Sequence, residues 1–272
     1  MELDFVKLSP TENMTVLIKS RVPREKQAEI GSEIIKYNSV YAEQAGFIEK
    51  SSNPNAYAGL QMAGGEFCGN GTMAAASYIA HKKGIRCGET MNIPLEVSGA
   101  DGILNCKVKA LEHGFKGTVL MPSPLGIYNE TYLIGGNEYT LPTVVLPGIR
   151  HIILPVEYIG NNFKEIIENE ENVLKSQISD DAFGIIVFDE TNMRIHPFVV
   201  VKSIGSSCWE RGCGSGSEAV GYYLCNKYKK DVRILLRQPG GEIEVDANFI
   251  SGEIYITGTV YIVSEGKAYL NC

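Results

Sequence analysis

The chain has 272 residues, of which 44% are hydrophobic and 21% are charged, as expected of a globular protein with one large or two moderate domains. Its formal net charge is −7, so the sequence predicts no basic surface and no nucleic-acid partner. No apolar run approaches the ~20 residues of a membrane helix, and the first residues do not resemble a signal peptide, so we expect no membrane partner.

Hydrophobic alternation predicts a first half rich in strands. A helix is predicted over residues 24–37, where apolar side chains recur on one side, and a second helix follows Cys68 and ends near Gly84. The predicted strands of this half cover residues 4–8, 14–19, 45–49, 58–62, 90–97, 102–111 and 118–121. The prolines within residues 122–126 mark the expected boundary between the two halves.

The second half follows the same plan. A hairpin is predicted over residues 130–141, around the Gly135–Asn137 turn signal. An acidic amphipathic helix is predicted over residues 162–174, and another helix follows Cys213. The remaining predicted strands are 148–155, 183–188, 195–201, 232–237, 242–245, 252–256 and 259–263, with a last strand near 267–270. The sequence therefore predicts two strand-rich halves, each built on one central helix.

One short motif occurs once in each half. Residues 68–72 read CGNGT and residues 213–217 read CGSGS, an offset of 145 residues (213 − 68). The match continues into the predicted helices, where Ala74 falls on Ala219 and Tyr78 falls on Tyr223. The sequence thus places a thiol just ahead of a helix twice.

A helix start is a favourable place for a reactive thiol. The first turn leaves backbone N–H groups unpaired and carries partial positive charge, which favours a thiolate and can hold a carboxylate. Two such starts facing each other would place one sulfur on each side of a bound α-carbon. We therefore predict that Cys68 and Cys213 form the acid–base pair of an α-carbon racemase or epimerase. Backbone N–H groups of Gly69, Asn70, Gly214 and Ser215 are predicted to bind the substrate carboxylate.

The two motif cysteines could instead be structural or bind a metal, and both roles are less favoured. A cysteine beside glycines is most often buried and inert, but the long repeat argues against that for both. A metal site would need a second Cys or His at zinc-like spacing, and Cys208 and Cys213 are five apart with no His near, so no metal is predicted. Seven cysteines, an odd number, do not suggest a disulfide framework, and we expect a reducing cytoplasm.

The paired motifs resemble the twin signatures of the diaminopimelate epimerase-like superfamily of two-cysteine racemases. The likeness covers nearly the whole chain, including Asn13 after the first strand, the pair Glu43 and Gln44, and residues 238–245 and 255–258. It implies an α+β, pseudo-symmetric two-domain fold in which each half is a strongly curved, mostly antiparallel sheet wrapped around a central helix. The halves would span residues 1–122 and 123–263, with residues from about 264 to 272 returning to the first. The resemblance also implies a homodimer and no cofactor.

The resemblance adds residues to the predicted site. It implies that Asn13 and Gln44 bind the substrate, although Asn13 could serve only the turn and Gln44 could be a core amide. Glu210, three residues before Cys213, is the candidate for binding the substrate ammonium group, with a surface ion pair as the alternative. The four histidines, His81, His113, His151 and His196, share no spacing, so we assign them no catalytic role.

The sequence departs from diaminopimelate epimerases where they bind the distal end of their substrate. Residues 62–66 read MAGGE instead of NADGSE, residues 148–151 read GIRH instead of GNPH, and residues 191–194 read TNMR instead of TNVN. A pocket without those amides would leave a charged group unpaired, at a cost on the order of 1–3 kcal/mol per group. Diaminopimelate is therefore not the favoured substrate.

Within the superfamily the sequence most resembles the histidine racemases of staphylopine-type metallophore biosynthesis. The shared segments are residues 13–15, 43–44, 46–49, 65–70, 209–210 and 266–269. This resemblance implies a cofactor-independent amino-acid racemase acting on histidine, and diaminopimelate or another amino acid is the alternative substrate. A phenazine-biosynthesis-type isomerase or a non-catalytic amino-acid-binding protein would not need both cysteines, so we favour neither.

Overall fold

A computed structural model describes residues 1–203 and 205–271. The chain divides into two compact units. Unit 1 comprises residues 1–121 together with the chain from Tyr255 onward, and unit 2 comprises residues 122–254. Residues 255–263, which the sequence assigned to the second half, therefore lie in unit 1.

Unit 1 contains a sheet that closes on itself. Its strands are β1 (Glu2–Pro10), β2 (Thr15–Ile18), β3 (Gln44–Glu49), β4 (Ala58–Met62), β5 (Thr90–Val97), β6 (Ile103–Ala110), β7 (Phe115–Leu120) and β16 (Ile254–Tyr269). Each strand pairs with the next in this order, and β16 also pairs with β1. Of the pairings between described residues in this unit, only β2–β3 and β4–β5 are parallel, so the sheet is mostly antiparallel.

Two helices complete unit 1, α1 (Arg24–Ile34) and α2 (Gly69–Lys82). Helix α2 contacts all seven strands from β1 to β7. Its run of Ala74, Ala75 and Ala76 is at most 1% exposed, because these small side chains let strands pack closely on every side of the helix. The helix that begins after Cys68 is therefore the core of unit 1.

Unit 2 repeats the strand-and-helix plan. Its strands are β8 (Gly126–Ile134), β9 (Asn137–Leu146), β10 (Ile149–Pro155), β11 (Ala182–Asp189), β12 (Arg194–Val201), β13 (Ser206–Trp209), β14 (Val232–Gln238) and β15 (Gly241–Ala247). They pair in the order β8-β9-β10-β11-β12-β14-β15, and β13 also pairs with β12. The β10–β11 and β12–β14 pairs are parallel. The predicted α+β class with mostly antiparallel sheets is confirmed.

The helices of unit 2 are α3 (Val156–Ile159), α4 (Phe163–Asn169), α5 (Glu171–Gln177) and α6 (Gly214–Tyr228). Helix α6 contacts β9, β10, β14 and β15 and buries nine of its residues. The single helix predicted over 162–174 is instead α4 and α5, because the backbone leaves helical geometry at Glu170 (φ −94°, ψ 4°). Strand β13 and the short α3 were not predicted. In the part of the chain that the structure describes, no helix is long and apolar enough to span a membrane.

Strand β16 also differs from the prediction, which divided it into three strands. Gly258 looks like a turn residue in the sequence, but its backbone is extended and pairs with Gly117. A Cβ atom at residue 258 would lie 2.8 Å from Thr11 Oγ1 and 3.3 Å from Met73 Cε. Gly258 is therefore needed for close packing against α2 and does not form a turn. Strand β16 continues through it without interruption.

Candidate active site

Cys68 lies at the N-cap of α2, with extended backbone geometry (φ −136°, ψ 112°). The Gly71 N–H donates a hydrogen bond to Cys68 Sγ over 3.3 Å. The Thr72 hydroxyl donates to the Cys68 carbonyl oxygen over 2.7 Å. The CGNGT spacing accounts for the first contact, because an N-cap side chain accepts from the N–H three residues on. The second contact joins a hydroxyl to the carbonyl four residues before it.

Cys213 has the same local geometry at the N-cap of α6 (φ −115°, ψ 110°). The Gly216 N–H donates to Cys213 Sγ over 3.2 Å, and the Ser217 hydroxyl donates to the Cys213 carbonyl oxygen over 2.6 Å. The prediction that each cysteine begins a helix is confirmed. The first-turn residues Gly69 and Asn70 in unit 1, and Gly214 and Ser215 in unit 2, occupy positions whose N–H groups have no partner within a helix.

The motif glycines serve close packing. None of Gly69, Gly71 and Gly216 has positive φ. A Cβ at residue 71 would lie 2.8 Å from Met62 Sδ, and a Cβ at residue 216 would lie 3.1 Å from Cys213 Sγ. Any larger residue would therefore collide with the core or with the sulfur itself.

Unit 1 brings three predicted site residues together around Cys68. The Cys68 thiol donates a hydrogen bond to Gln44 Oε1 over 2.9 Å, and Gln44 Nε2 donates to Thr15 Oγ1 over 2.8 Å. Thr15 in turn donates to the Asn13 carbonyl oxygen over 3.2 Å, and Asn13 is only 3% exposed. Gln44 is thus in direct contact with the sulfur, and Asn13 joins the same network through Thr15.

Asn13 follows the tight turn between β1 and β2. Thr11 and Glu12 carry the positive φ angles of that turn, 51° and 57°, and the Asn13 N–H donates to the Pro10 carbonyl. The left-handed positions are therefore taken by its two predecessors. Turn geometry alone does not explain why residue 13 is an asparagine.

Cys213 is far more enclosed than Cys68. Cys213 is only 2% exposed, whereas Cys68 is half-buried. Burial raises the pKa of Cys213 well above its usual range, and the nearby Glu210 carboxylate raises it further. Hydrogen bonds from Ser215 and the Gly216 N–H lower this pKa but do not offset burial. The pKa of Cys213 is therefore raised, against the expectation that a helix start makes the thiol more acidic, because loss of hydration and the Glu210 carboxylate outweigh the hydrogen bonds at the start of the helix.

Glu210 reaches Cys213 because of strand β13. The strand ends at Trp209 and pairs with β12, and the Glu210 N–H donates to the Pro197 carbonyl over 2.9 Å. This pairing brings the Glu210 carboxylate within hydrogen-bonding distance of the Cys213 thiol. The structure therefore places the predicted ammonium-binding residue beside the second sulfur.

Two further residues support Cys213 and were not predicted. Gln238, at the end of β14, accepts a hydrogen bond from the Cys213 N–H over 2.7 Å and donates to Ser217 Oγ over 2.8 Å. His151 Nε2 lies 2.9 Å from Ser215 Oγ, which lies 3.6 Å from Cys213 Sγ. In the sequence, Gln238 was only the first residue of a segment that carries the family resemblance, and His151 was assigned no catalytic role. Among the described side chains, no group of three or more His, Cys, Asp or Glu is arranged to hold a metal ion.

Comparison with known proteins identifies relatives of this chain. The family model "Histidine racemase CntK N-terminal domain" matches residues 2–269. A histidine racemase from Fusobacterium nucleatum subsp. nucleatum is 35% identical, over 98% of this chain and 97% of that protein. A histidine racemase from Staphylococcus aureus is 27% identical, over 98% of each chain.

The fold is also similar to that of a solved structure. A hydroxyproline epimerase from Agrobacterium vitis with bound trans-4-hydroxy-L-proline superposes with a TM-score of 0.77. The alignment covers 100% of this chain and 93% of the epimerase, at 11% sequence identity. This similarity supports the predicted fold, whereas the sequence relatives support the family.

Proposed function

Because this chain belongs to the histidine racemase CntK family, and is therefore an isomerase of the racemase and epimerase type, we propose that it interconverts L- and D-histidine without a cofactor. Cys68 and Cys213 are the proposed acid and base. The observation that carries the proposal is the repeated arrangement: each unit has a cysteine at the start of its buried central helix, with the same two hydrogen bonds around it.

The proposed chemistry is a two-base inversion at the α-carbon. One sulfur, as thiolate, removes the α-proton, and the other, as thiol, returns a proton to the opposite face. The carbanion places negative charge on the substrate carboxylate, which the N–H groups of Gly69, Asn70, Gly214 and Ser215 would stabilise at the two helix starts. Both sulfurs must then reach one substrate α-carbon.

The two cysteines have different starting roles in this proposal. Burial and the Glu210 carboxylate hold the pKa of Cys213 high, so Cys213 starts as the thiol and serves as the acid. Cys68 then serves as the base for the first enantiomer. After one turnover the protonation states are exchanged, and the reverse reaction uses Cys213 as thiolate.

Glu210 fits both its observed position and its predicted role. A substrate ammonium group bound to Glu210 would neutralise the carboxylate that disfavours the Cys213 thiolate. Binding of the amino acid would therefore lower the pKa of Cys213. Thiolate formation is thus favoured when a substrate is present.

Histidine as the substrate rests on the relatives. The two histidine racemases match over nearly their full length. At residues 62–66, 148–151 and 191–194 the sequence lacks an asparagine that diaminopimelate epimerases have, although Asn192 is retained. Assembly as a homodimer and a cytoplasmic location remain predictions from the resemblance and from the free thiols.

The decisive experiment follows L- and D-histidine in deuterated buffer. Loss of the α-proton signal and of optical rotation is measured for the wild type, Cys68→Ser and Cys213→Ser. Both variants should lose racemisation, because a serine hydroxyl is a far weaker acid–base group than a thiol. The matched control is Cys87→Ser, which replaces an exposed cysteine outside the motifs and should retain wild-type activity.

Different outcomes address different parts of the proposal. Exchange of the α-proton on another amino acid but not on histidine would refute histidine as the substrate and leave the proposed two-base inversion standing. Wild-type racemisation by either Cys68→Ser or Cys213→Ser would refute the cysteine pair. Retained α-proton exchange on one enantiomer by a single variant is expected, because one base remains, and would assign each cysteine to its face.

A further inference from the structure

His151 lies inside unit 2 and contacts no solvent. It stands in the middle of β10 and is 0% exposed. Its Nε2 atom lies 2.9 Å from Ser215 Oγ, and Ser215 Oγ lies 3.6 Å from Cys213 Sγ, within hydrogen-bonding range of a sulfur. These atoms form a continuous polar path from the core to the thiol.

The surrounding structure is built to accept this ring. Gly184 on β11 stands directly opposite His151, and a Cβ there would lie only 2.3 Å from His151 Nδ1. The adjacent residues Ile152 and Ile185 are fully buried, so an aliphatic side chain would suit this position better on hydrophobic grounds. A buried imidazole loses its hydration and is retained only with a polar partner, and Ser215 provides that partner.

The position of the ring proton follows from burial. Burial lowers the pKa of His151 to about 3, so the ring is neutral and carries one N–H. Nδ1 has no hydrogen-bond partner among the described residues, and a buried N–H without an acceptor is rarer than an acceptor left unpaired. The proton is therefore on Nε2, which donates to Ser215 Oγ.

This arrangement gives the path a direction. Ser215 accepts from His151, so its own hydroxyl proton is available to Cys213 Sγ. A thiolate is a stronger acceptor than a thiol, because hydrogen bonds to charged groups are the stronger ones. The path therefore supports the charged form of Cys213, against the carboxylate of Glu210, which disfavours it.

We propose that His151 is a positioning residue that fixes the Ser215 hydroxyl as a donor to Cys213 Sγ and so supports Cys213 when it acts as the base. The role of Cys213 as a base rests on the proposed function. Cys68 has a different support, since its sulfur contacts Gln44 and the residue equivalent to Ser215 is Asn70 (215 − 145). The two thiols are thus tuned by different side chains.

The kinetic test uses the full-length protein with Ser215→Ala, His151→Leu, His151→Gln and the double variant Ser215→Ala/His151→Leu. Ser215→Ala and His151→Leu should each lower kcat for histidine roughly tenfold, the effect of one hydrogen bond to a charged group, with KM near wild type. His151→Gln should restore most of the loss, because its amide N–H can donate to Ser215. The double variant should be no slower than either single variant.

These patterns separate the path from a packing role. Additive losses in the double variant, a His151→Gln variant as slow as His151→Leu, or wild-type kcat in Ser215→Ala would each overturn the proposal. Ser215 is half-buried in the first turn of α6, where alanine is compatible with a helix. The Ser215→Ala variant should therefore fold, and it tests the proposal even if His151→Leu does not fold.

A spectroscopic arm does not depend on activity. The ¹⁵N signals of the four histidines are recorded in the wild type and in Ser215→Ala, with His151 assigned by its loss in His151→Gln. We expect a neutral His151 with its proton on Nε2, and a shifted Nε2 signal in both Ser215→Ala and Cys213→Ser. A proton on Nδ1, or an Nε2 signal unchanged in Cys213→Ser, would overturn the inference even if the protein racemises histidine. If no amino acid is racemised, the proposed function fails while this arm still decides whether the path exists.

Discussion

The thiol of Cys68 donates a hydrogen bond to the side-chain oxygen of Gln44 over 2.9 Å. The amide is held in this orientation because its nitrogen donates to Thr15 on the neighbouring strand. A carboxylate at residue 44 would keep the shape of the side chain but place a negative charge beside the sulfur. The contact therefore offers a direct way to change the acidity of Cys68 alone.

We expect Gln44→Glu to slow alkylation of Cys68 by iodoacetamide roughly tenfold or more at neutral pH, because a neighbouring negative charge disfavours the thiolate. The rate of racemisation by Gln44→Glu should also fall, because less Cys68 is thiolate. The rate is measured by mass spectrometry of the Cys68 peptide, with Gln61→Glu on β4 as the matched control. Unchanged labelling in Gln44→Glu would show that this contact does not influence the thiol.

Substitution of Glu210 should make the Cys213 thiol more acidic, the opposite of the change expected at Cys68. Its carboxylate raises the pKa of that thiol, so Glu210→Gln removes a negative charge and should lower the pKa towards its usual range. At a pH below the Cys213 pKa of both the wild type and the variant, a larger fraction of Cys213 is thiolate in the variant. Its alkylation by iodoacetamide should therefore be roughly tenfold faster. Cys68 in the same sample is the internal reference. Slower labelling of Cys213 in Glu210→Gln would contradict the assigned sign.

The proposed inversion requires both sulfurs to reach one α-carbon. We therefore expect mild oxidation to join Cys68 and Cys213 in a disulfide, abolish racemisation, and be reversed by a reductant. Peptide mapping identifies the linkage, and exposed Cys87 should remain outside it. Oxidation that never links the two motif cysteines, while other thiols pair, would count against a shared α-carbon.

The proposed carboxylate site can be tested with substrate analogues. Histidinamide lacks the negative charge that the helix starts are expected to bind, so it should neither exchange its α-proton nor inhibit. Imidazolylpropionate keeps the carboxylate but lacks the amine, and it should compete weakly with histidine. Turnover of histidinamide at a rate similar to that of histidine would refute the assignment of Gly69, Asn70, Gly214 and Ser215.

Glu218 provides a test on stability. It is 2% exposed in α6, its Oε1 has no hydrogen-bond partner among the described residues, and burial raises its pKa well above 4.5. The folded protein keeps this carboxyl protonated where the unfolded chain ionises, so its contribution to stability is present below about pH 4.5 and is lost as pH rises towards the folded pKa. The position equivalent to Glu218 in unit 1 is Met73 (218 − 145).

We therefore expect Glu218→Met to stabilise the protein at neutral pH. The gain in free energy of unfolding should grow as the pH rises from the unfolded pKa towards the folded pKa, and should be smallest near pH 4. Denaturant unfolding at several pH values measures it. Glu218→Gln, which removes the charge and keeps the shape, is the control and should show the same pH trend. A gain independent of pH would show that packing, not ionisation, determines the difference.

The sequence by itself determined the local geometry of both motifs. The N–H three residues after each cysteine bonds to its sulfur, and the hydroxyl four residues after it bonds to its carbonyl. These partners are fixed by their spacing along the chain, so the pattern at Cys68 and Cys213 was enough to predict two helix starts. Strand β4 was likewise predicted with its observed bounds, because its five residues form a short and largely apolar run.

Tertiary structure decided what surrounds each sulfur. His151 and Ser215 are 64 residues apart, and Gln238 and Cys213 are 25 apart, so neither contact follows from local spacing. The raised pKa of Cys213 depends on burial by the packed strands and on Glu210, which β13 carries to the sulfur. A helix start acts on its thiol through the first turn of its own chain. Loss of hydration depends on every segment packed against that thiol, and only the folded chain brings those segments together.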